Sequence, residues 1–108
     1  MIYEERIYKI VPGRMPDILR RFTDHATPLF RKHGIELIGF WQTTIGPSSH
    51  ELVYIIAFDS LGHREKAWGD FMADPAWQTA KAESEKDGML VADVANRILT
   101  PTDFSPLK

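Results

Sequence analysis

The chain has 108 residues, 44% of them hydrophobic and 26% charged, with 13 Lys+Arg against 15 Asp+Glu and no cysteine. That length fits one domain, and the ordinary composition excludes disorder, collagen and disulfide scaffolds. A net charge of −2 removes the electrostatic case for nucleic acid or anionic lipid, and the lack of cysteine excludes a thiolate nucleophile, Fe–S clusters and cysteine-containing zinc sites.

Residues 2–11 are rich in Ile, Tyr and Val and predict a first strand, which Pro12-Gly13 ends. Charge in Met1-Ile2-Tyr3-Glu4-Glu5-Arg6 argues against a signal peptide. No run nears ~20 apolar residues, so the expected location is cytoplasmic, with no membrane span. From residue 15 to 33 the pattern is helical: at ~100° per residue Met15, Ile18, Leu19, Phe22, Ala26, Leu29, Phe30 and His33 share one face. Asp17, Arg20, Arg21, Asp24, Arg31 and Lys32 fall opposite. Gly34 suits the C′ position, and Pro28 predicts a kink over residues 24–28 because it removes a backbone hydrogen bond. Residues 35–45 and 52–58 read as strands joined in a hairpin by Gly46-Pro47-Ser48-Ser49-His50. Ser60 caps a helix over 61–73, with Leu61, Arg64, Trp68, Phe71 and Met72 on one face. Asp74 as N-cap and Pro75 at N1 start a helix over 75–86, whose inner face is Ala76, Trp77, Ala80 and Ser84. Residues 94–99 form the last strand, and a tail runs from Pro101 to Lys108.

With right-handed crossovers this order gives a ferredoxin-like βαββαβ fold of class α+β: a four-stranded antiparallel sheet with the helices on one face. A half-exposed strand should alternate apolar and polar residues, and these do not. Leu52, Tyr54, Ile56 and Phe58 line one side of their strand, while Val53, Ile55 and Ala57 line the other. Helices cover one sheet face only, so a second apolar face needs a partner. Pairing with the same face of a second copy buries it symmetrically. At ~25 cal/mol per Å², covering ~500 Å² per chain is worth about 12 kcal/mol before the cost of association. A homodimer with its sheets face to face is the expected assembly.

Tyr3-Glu4-x-Arg6-x-Tyr8 followed by Pro12-Gly13 resembles the opening signature of NIPSNAP family domains. The resemblance continues through Pro28, His33-Gly34, Gly39-x-Trp41 and Val53-Tyr54 to Phe58. It ends with Arg64-x-x-x-Trp68-x-x-Phe71 and Asp74-Pro75-x-Trp77, so it covers nearly the whole chain except the tail after Leu99. It implies a dimeric α+β barrel. It carries over no reaction and no catalytic residues.

Glu4, Arg6 and Tyr8 share one side of the first strand by two-residue alternation. If that side faces the space between the two sheets, they place a charge pair and a hydroxyl in an otherwise apolar cleft, the usual make-up of a ligand site. The structural alternative is a buried ion pair that fixes strand register. Trp41, with Gly39 on the same side leaving local space, and Tyr54 are further contacts. His33, on the apolar line of its helix, is either a helix-end core residue or a group titrating near neutrality at the cleft mouth. Trp68 and Trp77 fit core positions. No pair of histidines has metal-ligand spacing and the glycines are scattered, so neither a metal nor a dinucleotide cofactor is expected. The leading reading is a homodimer that binds a small apolar molecule or a partner in the inter-sheet cleft through Arg6, Tyr8, Trp41, Tyr54 and His33. The alternative is a cofactor-independent enzyme of monooxygenase or isomerase type, by analogy of fold, with Tyr8, Arg6 and His33 as its polar groups. An adaptor without a pocket is the third.

Overall fold

Side-chain alternation along the two central strands decides which face of the sheet the helices cover. In the computed structural model, which describes residues 1–108, β1 (Ile2–Ile10), β2 (Glu36–Gln42), β3 (Glu51–Phe58) and β4 (Val91–Leu99) pair antiparallel in the order β2-β3-β1-β4. This is the ferredoxin-like arrangement the sequence predicts. Leu52, Tyr54, Ile56 and Phe58 point into the helical layer and are no more than 2% exposed. Val53 and Ile55 face the open side and are half-buried. β2 stops at Gln42, short of the expected end at 45, and Ile45 is 96% exposed in the hairpin. A bulge between Leu37 and Gly39 lets Leu37 and Phe40 both pack on the core.

The first helical stretch consists of α1 (Met15–Arg21) and α2 (Thr27–Lys32), joined by a π-helical turn at Phe22–Ala26. Pro28 has no N–H to give the ladder, and the wider turn ahead of it absorbs the loss. The Thr27 backbone N–H donates to the Phe22 carbonyl, and Thr27 Oγ1 donates to the same oxygen at 2.9 Å. Ile18, Phe22, Ala26 and Phe30 are buried, as their spacing predicts. Arg21, expected on the solvent side, is buried too. It precedes Phe22 and follows Ile18 by three, which places it at the edge of the apolar face where α4 packs.

In α3 (Leu61–Ala73) the Ser60 hydroxyl caps the helix by accepting from the His63 N–H. The buried arc is centred on Ala67 and Phe71. Leu61 and Met72 lie about 100° or more around the axis from that centre, and they are 63% and 46% exposed rather than on the inner face. In α4 (Pro75–Ser84), Trp77 and Ala80 are buried and Ala76 is exposed. No helix is long and apolar enough to cross a membrane.

Asp74 joins the helices. Its carboxylate accepts from Lys32 Nζ at 2.9 Å, His33 Nε2 at 2.8 Å and the Ala76 N–H at 2.9 Å. Those three bonds hold its pKa well below the ordinary carboxylate range. A depressed carboxylate contributes stability that is present above its unfolded pKa, near ~4, and lost as pH falls through the folded value. Urea midpoints of the wild type therefore drop below about pH 4. Asp74→Asn is less stable at neutral pH and shows a shallower acid limb; an unchanged limb would show that this carboxylate is not responsible.

Candidate functional site

Ile2 and Ile10 of β1 pack on the core beneath the helices, so Glu4, Arg6 and Tyr8, in the same alternation phase, point that way as well. This corrects the expected location. The polar group lies between the sheet and its own helices, not on the open face where two sheets would meet.

Glu4 is fully buried and saturated with donors. It accepts from Arg64 Nε at 2.6 Å, Arg64 Nη2 at 3.1 Å, Arg6 Nη1 at 2.8 Å and Asn96 Nδ2 at 2.9 Å. Burial works to raise its pKa, but the bonds from Arg64, Asn96 and Arg6 outweigh it and hold the carboxyl ionised. Burial also works against the charge on Arg6, which the Tyr54 and Tyr8 hydroxyls and Glu4 sustain. The Arg6 guanidinium lies over the Trp68 ring, 4.5 Å from its centroid, and 5.7 Å from that of Tyr8. The Tyr8 hydroxyl is 2.9 Å from the Tyr54 hydroxyl. Burial, with Tyr8 adding to it and Arg6 opposing, pushes the Tyr54 phenol well above its ordinary pKa, so that proton is retained.

Arg6 and Tyr8 form part of the wall of a cavity of about 460 Å³ between sheet and helices, with 11 of its 16 lining residues hydrophobic. Phe30, Trp68 and Trp77 supply much of the apolar wall, and Arg21 enters from α1. Arg21 Nη1 donates to Ser84 Oγ at 3.3 Å and Glu85 Oε1 at 3.0 Å, and its guanidinium sits 5.3 Å from the Trp77 ring centroid. Three buried nitrogens have no partner: Arg6 Nε, Arg21 Nε and Trp77 Nε1. Each such donor costs roughly 1–3 kcal/mol if nothing satisfies it. A second cavity, of about 350 Å³ between α1 and α4, has one hydrophobic residue among 11. Its Arg14–Asp17 pair, at 2.8 Å, belongs to a solvated ionic surface.

Of the residues singled out in the sequence, Arg6 and Tyr8 reach the cavity, and Tyr54 stands behind Tyr8 as its hydrogen-bond support. Trp41 does not join them. It is 51% exposed on the opposite sheet face, lying over Gly39 so closely that a Cβ there would be 2.5 Å from the indole. His33 is engaged with Asp74 and is not part of the cavity wall. Arg21, Trp68 and Trp77 join the site from the helices, beyond the residues that strand alternation picks out. The available signal was an arginine three residues from Ile18 and two indoles on inner helix faces.

The family model described as NIPSNAP matches residues 3–106. Protein NipSnap homolog 3A of Homo sapiens is 28% identical over 78 residues, a segment covering 72% of this chain and 31% of the human protein. The chain thus corresponds to about a third of that relative's length. A NIPSNAP family protein of Agrobacterium tumefaciens strain C58 is 35% identical, with full coverage of this chain, 94% of its own and a TM-score of 0.87. A NIPSNAP domain protein of Burkholderia xenovorans is 25% identical, with 98% and 99% coverage and a TM-score of 0.85.

Proposed function

This chain belongs to the NIPSNAP family, and from that premise we propose that it is a homodimeric binding protein holding a small, predominantly apolar molecule between its sheet and its helices. The observation that carries this reading is the cavity of about 460 Å³, apolar on most of its walls and furnished with a charged guanidinium at Arg6. Small-molecule sites have this size and this make-up. The dimer rests on the open sheet face, where Val53 and Ile55 are half-buried and Trp41 is 51% exposed. A second copy of the same face covers all three symmetrically.

Binding is tested with the neutral fluorophore N-phenyl-1-naphthylamine. Saturable binding of one probe per chain is expected, with quenching of the tryptophan fluorescence. Met89 is 61% exposed and lines the cavity, so it belongs to the rim. Met89→Glu weakens the probe several-fold while circular dichroism stays unchanged. Absence of saturable binding would remove the ligand reading, and a monomer mass by light scattering at micromolar concentration would remove the dimer. The enzymatic alternative draws on the Tyr8–Tyr54 hydroxyl pair, 2.9 Å apart beside Arg6. Its test is turnover that is lost in Tyr8→Phe.

A further inference from the structure

The cavity also constrains the chemistry of its occupant. The buried side-chain atoms left without a partner, Arg6 Nε, Arg21 Nε and Trp77 Nε1, are all donors. All three belong to residues that line this one cavity. Folded proteins seldom leave buried donors empty, because the bond lost to water is not replaced. A one-sided surplus of N–H groups fits an occupant that brings oxygens.

Charge leads to the same conclusion. Arg6 and Arg64 share the single carboxylate of Glu4. Arg21 and Lys81 share that of Glu85, at 3.0 and 3.4 Å. Of the residues that line the cavity, Arg6, Arg21 and Lys81 are cationic and Glu85 and Asp93 anionic, so the wall carries one more positive than negative charge. Burial penalises the charge on Arg6, yet the site keeps it charged. Around these cations the walls are flat rings, Phe30, Phe71, Trp68 and Trp77 among them.

We propose that the cavity takes an apolar, ring-bearing carboxylic acid, bound as its anion, with the carboxylate oxygens accepting from Arg6 and Arg21 and the ring seated among the aromatic walls. This rests on the reading of the cavity as a ligand site and adds the class of ligand.

The test is calorimetric titration of the whole protein with naphthalene-2-acetate and with its neutral amide, naphthalene-2-acetamide, which has nearly the same shape. The acid is expected to bind ~10-fold or more tightly than the amide, because charge-assisted hydrogen bonds to guanidinium are about twice as strong as neutral ones. Arg21→Met and Arg6→Met bring the two affinities together by weakening the acid and leaving the amide nearly unchanged. Trp77→Phe, which leaves a smaller aromatic ring in the wall and removes the N–H, weakens the acid more than the amide, with circular dichroism confirming the fold. It therefore serves where Arg6→Met fails to fold. Equal affinity of acid and amide in the wild type overturns the proposal while leaving the ligand site intact. If neither compound binds and N-phenyl-1-naphthylamine does not bind either, the ligand site itself is refuted along with it.

Discussion

Glu4→Leu is expected to destabilise the protein by about 3–5 kcal/mol, the cost of breaking a buried ion pair from one side. Glu4 is fully buried, and its oxygens receive all four of the donors that surround it. Removing the carboxylate leaves the guanidinium of Arg6, 12% exposed, with no counter-charge, and leaves Arg64, 26% exposed, only a partial route to water. At ~4–8 °C per kcal/mol in a domain near this size, the melting temperature falls by roughly 12–40 °C. Combining Glu4→Leu with Arg6→Met and Arg64→Leu recovers most of that loss, because removing all three charges also removes the need to desolvate them. Urea denaturation of the single and triple variants decides the matter. A loss below ~1 kcal/mol in Glu4→Leu would place the pair in the weak class of surface salt bridges.

That group shows where a linear sequence stops informing. Its β1 members, Glu4 and Arg6, were legible because two-residue alternation needs no tertiary information. Arg64 and Asn96 were not, since each lies on another element and reaches Glu4 only after the sheet and α3 have assembled. An arginine on the inner face of α3 is a local inconsistency, and such inconsistencies mark buried pairs or sites. The fold itself was legible because apolar period, Ser60 and Asp74 caps, and the Pro12-Gly13 break all agree with one topology. The direction of the site was not. β3 is apolar on both sides, so its pattern could not say which face of the neighbouring β1 the helices would cover. Ile2 and Ile10, in phase with Glu4, Arg6 and Tyr8, carried that information. The π-helical turn escaped for a related reason: Pro28 announces a defect in the ladder but not the form the chain gives it.

Phe30→Ala is the second large effect, and it links stability to binding. Phe30 is 2% exposed, with ring centroids at 4.7 Å to Phe71, 5.8 Å to Trp68, 6.2 Å to Tyr54 and 6.4 Å to Phe22. Truncating a buried phenylalanine costs about 3–5 kcal/mol, part of it transfer and part the void left behind. Phe30 also lines the cavity of about 460 Å³, so the new space opens into an existing one instead of being sealed. An apolar ligand can then fill both. A ligand that binds only the folded state at 100 times its dissociation constant returns about 2.7 kcal/mol. N-phenyl-1-naphthylamine should therefore raise the urea midpoint of Phe30→Ala at least as much as that of the wild type. Ile56→Ala supplies the contrast. Ile56 is 0% exposed and does not line the cavity, so its void stays closed and the probe gives it no more than the wild-type increment. Rescue of Phe30→Ala that falls short of the wild-type increment would mean that the space around Phe30 and the ligand cavity are not continuous.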